Sequence, residues 1–173
     1  MLAGVLVGFL LGRRSFKTVR PDWFLRGRRR VSDDVWNNPR FWSEQAEQAF
    51  DRALRHGEQE KHDGDMCLIS FDEVVSGRML TREDRGFQTV PIAKIVGSVG
   101  KACWFTKSFD PKREDQRGRW KRSYAIAHGL IGHEPIDLYQ LGTEFFVVDG
   151  HFRVSVTKAL GGESIRAHVQ GWL

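Results

Sequence analysis

The sequence predicts an α+β domain behind a mainly helical, basic extension, and three observations carry this. Strand-like and helix-like stretches follow one another irregularly through the second half of the chain, not in a strict βαβ repeat. Two strand patterns are joined by only Gly142-Thr143, with glycine first, as a type II′ hairpin prefers. Three stretches, 41–56, 119–128 and 151–160, carry apolar residues at helical spacing. With 173 residues, 40% hydrophobic and 28% charged, the chain can bury one core but would cramp two full domains. The expected division is an extension at 1–64 and a domain at 65–173.

The extension opens on the apolar run Met1–Gly12, followed by Arg13-Arg14. As a helix it would reach about 18 Å, short of the roughly 30 Å of a bilayer core, so no transmembrane helix is expected. Its charges follow the apolar run, whereas a secretory signal puts them first. A packed helix, a loose end or a membrane hook all suit it. Residues 13–40 hold nine Arg and Lys against three Asp, a local charge of +6 that leaves the rest of the chain at −1. Trp23, Phe24, Trp36, Phe41 and Trp42 lie among or just after these charges. The Arg13–Arg40 region therefore suits DNA or anionic lipid, and equally a solvated tail whose aromatics dock on the domain. Cys67 and Cys103 stand 36 positions apart without a metal-ligand pattern, which predicts no disulfide framework, no zinc site and a cytoplasmic protein.

In chain order, Trp42, Ala46, Ala49, Phe50, Ala53 and Leu54 form one helical face ended by Gly57, and the polar run 57–65 suits a linker. Ser70-x-x-Glu73 is a capping box for a short helix over 71–76. Thr89–Ile92 and Ile95-Val96 suggest a strand, with Pro91 placing it at an edge or a start. Gly97-Ser98-Val99-Gly100 is expected to turn, and 101–118 to form a long loop with some helix, in which Trp104, Phe105 and Phe109 either stack a base or, the better fit, plug the core. Trp120, Tyr124 and Ala127 mark the next helix, and Ile136–Leu141 and Glu144–Val148 form the hairpin. Glu144–Val148 is apolar on both faces, hence central. A helix from His151 to Leu160, a stop at Gly161-Gly162 and a strand over 164–169 finish the chain.

Chemistry concentrates at Asp149-Gly150-His151-Phe152-Arg153, where a buried strand meets a helix. Glycine lets a ligand approach the backbone, the free amides of the first turn favour an anion, and Arg153 can fork onto phosphate oxygens. Asp149 can hold Mg²⁺ or a ribose hydroxyl, and His151 can donate or carry a proton. Phe152 shares the core stripe with Val156, Ala159 and Leu160, while His151 and Lys158 face the other way. The bland alternative is a sharp turn with Arg153 in a salt bridge. Lys112, Arg113, Arg117, Arg119, Lys121 and Arg122 outnumber Glu114 and Asp115, so Arg117 or Arg119 can reach outer phosphates if that helix flanks the pocket. His128 and His133 make no metal pair, and His56, His62 and His168 have no companions in sequence.

Strand–Asp149-Gly150-His151-x-Arg153-Val154–helix, preceded by Pro135-Ile136 and the hairpin, resembles the ParB/sulfiredoxin superfamily. Val90-Pro91-Ile92, Ile95–Gly100, Arg119-Trp120 and Val148–Val156 are similar to small bacterial "ParB-like nuclease domain" proteins, over about residues 66–170. The resemblance implies a small mixed sheet with packed helices and a nucleotide pocket. Gly150, His151, Phe152, Arg153, Val154 and Ser155 would grip phosphates, with Gly97, Ser98 and Arg119 beside them. Segregation proteins of the superfamily bind CTP there, sulfiredoxins ATP and an archaeal free-serine kinase ADP. Sulfiredoxins carry a cysteine where His151 stands, so sulfinic-acid repair is not expected. The segregation proteins have a more arginine-rich motif, a following helix-turn-helix that this chain, ending at Leu173, is expected to lack, and a tendency to dimerise. Close relatives often carry a second histidine where Phe152 stands.

The expected function is a regulatory nucleotide-binding module, possible DNA associate and homodimer. The alternatives are an NTPase or small-molecule kinase using Asp149, His151 or Glu144 as base, and a metal-dependent nuclease resting on Asp149 and Glu144. A phosphate cup filled by the protein's own side chains, with Arg153 locked in an internal ion pair, would remove the nucleotide reading and leave the fold.

Overall fold

The computed structural model describes residues 39–62, 67–128 and 133–173. Residues 1–38, with the apolar run and most of the basic stretch, lie outside them. The elements are α1 (Pro39–His62), β1 (Ile69–Ser70), α2 (Phe71–Val75), β2 (Arg82–Pro91), β3 (Ile95–Ser98), α3 (Arg117–His128), β4 (Ile136–Leu141), β5 (Glu144–Asp149), α4 (His151–Ala159) and β6 (Ser164–Trp172). The six strands make one mixed sheet in the order β1-β3-β5-β4-β6-β2. β1–β3, β3–β5 and β4–β6 pair parallel; β4–β5 and β2–β6 pair antiparallel. The α+β class is as the sequence predicts, β5 is internal, and Pro91 closes an edge strand where its missing N–H costs no ladder bond.

Alternation along the strands sorts the side chains to two faces. Ile136 and Leu138 of β4, Phe145 and Val147 of β5, and Ile165, Ala167 and Val169 of β6 share a core with Val154 of α4 and with Phe105 and Phe109. On the other side Phe71 of α2 packs on Tyr139, Phe146 and Trp172, with ring centroids 5.1–5.5 Å apart. A third layer lies over α4. Ala46, Ala49, Phe50 and Ala53 of α1 bury themselves against Trp120 and Tyr124 of α3 and Val156 of α4. The α1 stripe visible in the sequence is therefore a helix–helix contact.

Several local expectations are corrected. α1 runs through Gly57 to His62, so 57–62 is helix and not linker. Gly57 serves close packing, since a Cβ there would lie 2.6 Å from the Pro111 carbonyl oxygen. The helix at Phe71–Val75 exists, but Ser70 makes no side-chain cap bond. β2 is a full ten residues, and Gly97-Ser98 belongs to β3 rather than to a turn. Cys67 and Cys103 are joined in a disulfide, with Cα atoms 4.4 Å apart. The sheet brings together two segments that sequence spacing alone keeps apart, so the expectation of two separate thiols fails, and with it that argument for a reducing compartment. Among the described residues no helix is long and apolar enough to cross a membrane.

Gly97 sits where β1, β3 and β5 meet. A Cβ there would lie 2.3 Å from Phe146 Cδ1 and 2.4 Å from the Ile69 carbonyl oxygen. One neighbour is backbone and the other is wedged under Phe71, so neither can yield cheaply. Gly97→Ala should therefore destabilise the protein by about 1–3 kcal/mol or more, read as a lower urea midpoint, whereas Gly118→Ala, facing open space, should not destabilise it.

Candidate phosphate site at the start of helix α4

β5 delivers the chain to Gly150, whose φ of 102° lies in the left-handed region. A Cβ at this position would fall 2.3 Å from Ile136 Cγ2, so both conformation and space call for glycine. The N-cap residue of α4 is this Gly150, which has no side chain with which to cap the helix. The Gly150 carbonyl accepts the Val154 N–H at 3.0 Å, closing the first turn and leaving the preceding amides at the positive end of the helix dipole. The strand–glycine–helix geometry expected at this junction is present in the fold.

The guanidinium half is different. Arg153 Nη1 donates to the carbonyls of Glu134, at 2.9 Å, and Pro135, at 2.8 Å, while Nη2 donates to the Asp149 carboxylate. The Arg153 side chain is 19% exposed and that of Asp149 63%. Arg153 is thus a strut that fastens the entry to β4 onto α4, and the expectation of a free guanidinium is corrected. One part of the condition stated above is met, because Arg153 stands in an internal ion pair. The other part is not met at the N-cap position, where Gly150 has no side chain to fill the cup.

His151 was expected to face ligand or solvent and is instead buried, 3% exposed. Its Nε2 lies 2.7 Å from Ser98 Oγ, and its ring stacks on Phe105. Ser98 Oγ also accepts the Lys101 N–H at 3.2 Å. A hydroxyl keeps a second lone pair, so Ser98 Oγ and His151 Nε2 share a hydrogen bond whose donor is set by the imidazole tautomer. Burial first, and then the Lys101 charge, push the His151 pKa down to about 4, against the pull of Asp149. The imidazole is neutral at pH 7. Ser98 and His151 stand at nucleophile–base distance, yet Ser98 has no exposed surface. The pair clasps β3 to α4.

The other expected site residues scatter. Ser155 Oγ accepts the Trp120 indole N–H at 2.8 Å on the far side of α4, and Val154 is fully buried in the core. Phe152 is half-buried between the two cores. Gly97 is covered by Phe146 and β1, leaving no open cradle. Arg119 is exposed on α3, and Arg117 is taken by Asp51 at 2.8 Å, Glu47 at 3.3 Å and Glu114. Glu144 is exposed at the opposite end of β5, about 17 Å from Asp149 along the strand. The trio Asp149, His151 and Glu144 is therefore not assembled. Asp149, the expected Mg²⁺ ligand, is paired with Arg153, and Glu144 lies too far along β5 to join it.

Two histidines read as companionless have partners. His168 bonds Asp84 at 2.9 Å, and His56 bonds Asp110 at 2.7 Å. The signal for the second was available in part, as His56 and Glu60 are one helical turn apart. His133 adds a buried Nε2 without a hydrogen-bond partner among the described residues. Burial, with Arg153 close by, pushes its pKa down to about 4.

The buried neutral histidines set a pH dependence. Both are depressed from 6.5 to about 4 in the folded protein, so between those values the unfolded chain binds more protons. Their stability contribution is full above pH 6.5 and is lost as pH falls toward 4, by roughly 3 kcal/mol for each. Urea unfolding from pH 7.5 to 4 should show this slope, and His151→Asn should lower stability at pH 7.5 while flattening the dependence.

No known protein family and no curated protein matches the chain. Among solved structures it is similar to the crystal structure of sulfiredoxin from Arabidopsis thaliana, at 17% identity, over 48% of this chain and 82% of that one, with a TM-score of 0.37.

Proposed function

We propose that the protein is a nucleotide-binding module of the ParB/sulfiredoxin type, in which the open first turn of α4 receives a phosphate group. The observation that supports this is the uncapped N-terminus at a left-handed Gly150, with a guanidinium held one turn further along. The candidate ligands are CTP, ATP and ADP. Arg153 takes part by exchanging the Asp149 carboxylate for a phosphate oxygen while keeping its bonds to Glu134 and Pro135. Asp149 is exposed enough to return to water, and a pair of that kind is worth about 0–1 kcal/mol, so the exchange lowers affinity by less than about tenfold. A regulatory, cytoplasmic role, DNA contact through 13–40 and dimer formation remain parts of this reading that concern residues or partners outside the described fold.

Binding is favoured over turnover by the same geometry. Among the expected candidates the Ser98–His151 pair is sealed, Glu144 is remote and Asp149 is paired with Arg153, which favours binding over phosphotransfer or metal-dependent cleavage by these residues.

Thermal unfolding with CTP, ATP, ADP and GTP, with and without Mg²⁺, tests the proposal. At least one nucleotide should raise Tm, and Arg153→Ala should lower its affinity about tenfold or more. Asp149→Asn discriminates: it frees Arg153 and should strengthen binding several-fold, although it weakens the strut. If no nucleotide shifts Tm, or if Asp149→Asn and Arg153→Ala lower stability and leave affinity unchanged, the junction is structural and the proposal fails.

A further inference from the structure

A second cluster lies away from the α4 N-terminus, between α1 and the loop that follows Phe105. His56 and Glu60 project from the same side of α1, and Asp110 meets them from the loop. His56 Nδ1 is 2.7 Å from Asp110 Oδ2 and 3.8 Å from Glu60 Oε1. One ligand atom from each residue lies within 4.8 Å of those of the other two. Around an ion bound at about 2.1 Å, neighbouring ligand atoms stand about 3.0 Å apart in an octahedron and about 3.4 Å in a tetrahedron. The observed spacings bracket these values, so small side-chain rotations close the site without moving backbone.

Charge and satisfaction point the same way. Two carboxylates meet a single imidazole. Of the Glu60 carboxylate, which takes hydrogen bonds from Ser108 and Thr106, the Oε2 atom is shut off from solvent. Burial lifts the Asp110 carboxyl above its ordinary value despite its bond to His56. For Glu60 burial acts in the same sense, but Ser108 and Thr106 outweigh it and hold that carboxyl low. Lys158 is the nearby cation that both carboxylates sense, and burial lowers its pKa. The site is also pre-set. Gly57 brings α1 against Pro111, and Thr106 Oγ1 accepts the backbone N–H groups of Ser108 and Asp110, both at 3.2 Å, which fixes the Asp110 turn. His56 remains 58% exposed, against 17% for Asp110 and 27% for Glu60, leaving one side open to water or an exogenous ligand.

We propose that His56, Glu60 and Asp110 bind one divalent first-row transition ion, of the Zn²⁺, Co²⁺ or Mn²⁺ class, with open coordination positions toward solvent. One nitrogen and two carboxylate donors suit these ions better than Mg²⁺, which prefers an all-oxygen, largely hydrated shell. The ion takes over the charge balance that Lys158 supplies without it. This site is independent of the phosphate reading at α4.

The test uses the full chain without an affinity tag, titrated with Zn²⁺, Co²⁺, Mn²⁺ and Mg²⁺. A transition ion should bind with a stoichiometry of one. At about a hundredfold excess over Kd it should raise Tm by about 5–10 °C, with Mg²⁺ giving little. Co²⁺ should develop visible d–d bands on binding. His56→Gln and Asp110→Asn, each checked for folding by circular dichroism, should each weaken binding tenfold or more and remove the Co²⁺ spectrum, and Glu60→Gln should weaken it as well. Absence of binding overturns the proposal and leaves a plain His–Asp ion pair. Binding that survives both His56→Gln and Asp110→Asn also overturns it, because the ion then sits elsewhere.

Discussion

The fold depends on how α4 is fastened, because this nine-residue helix belongs to two cores at once. Val154 packs into the sheet core, Val156 faces α1 and α3, and Phe152 touches both. A short helix buried on most sides has no solvent face on which to leave polar groups, so each must find a partner in the protein. Ser155 receives the Trp120 indole, His151 shares a hydrogen bond with Ser98, and Thr157 donates to the Arg153 carbonyl. Arg153 closes the set by holding Glu134, Pro135 and Asp149. Each bond ties α4 to a different element, or to its own backbone. A buried donor left without a partner costs about 1–3 kcal/mol, so the set acts as a list of positional constraints more than as a sum of attractions.

That arrangement explains why the sequence is legible in its elements and misleading at its site. The hairpin around Gly142-Thr143, the internal strand β5, the helix stripe of Trp120 and Tyr124 and the stops at Gly161-Gly162 depend on near neighbours in the chain, and period and turn chemistry report them. The site rests on contacts across long separations. Ser98 and His151 are 53 positions apart, and Trp120 and Ser155 are 35 apart. A polar residue at helical spacing looks solvent-facing unless something covers it, and α1 and α3 cover this helix. His151 and Ser155 were therefore read as ligand groups when they are fasteners. Gly57 misled in the same way, since a glycine that ends helices was needed instead for close contact with Pro111. The disulfide is a further case, because only the sheet makes 36 positions into adjacency.

Arg153 shows what remains open to chemistry within so constrained a junction. Its two carbonyl acceptors lie on the 134–135 segment and do not compete with an anion, being neutral. Asp149 does compete, through its charge, and it is the exposed member of the pair. A guanidinium offers five donors, so the strut and an anion need not exclude each other once the carboxylate withdraws. The electrostatics of this position thus turn on one residue, Asp149, which ends β5 just before the start of α4.

The loop from Lys101 to Gln116 gives both regions a common footing. At its start Lys101 bonds Ser98, Leu68 N–H bonds Ala102, and Cys103 is tied to Cys67. Closing a loop of this length restricts the unfolded chain by roughly 4 kcal/mol in the chain-entropy view. In the middle, Phe105 stacks on His151, while Asp110, five residues on, meets His56. At its end the buried Gln116 accepts the Lys112 and Arg113 N–H groups and donates to the Trp104 carbonyl, which folds the loop back on itself. Irregular backbone of this kind holds its shape only when side chains replace the missing ladder bonds, and Thr106 and Gln116 do so here. The positions of His151 and Asp110 are therefore both set by side-chain bonds inside one irregular segment, and not by the regular elements that flank it.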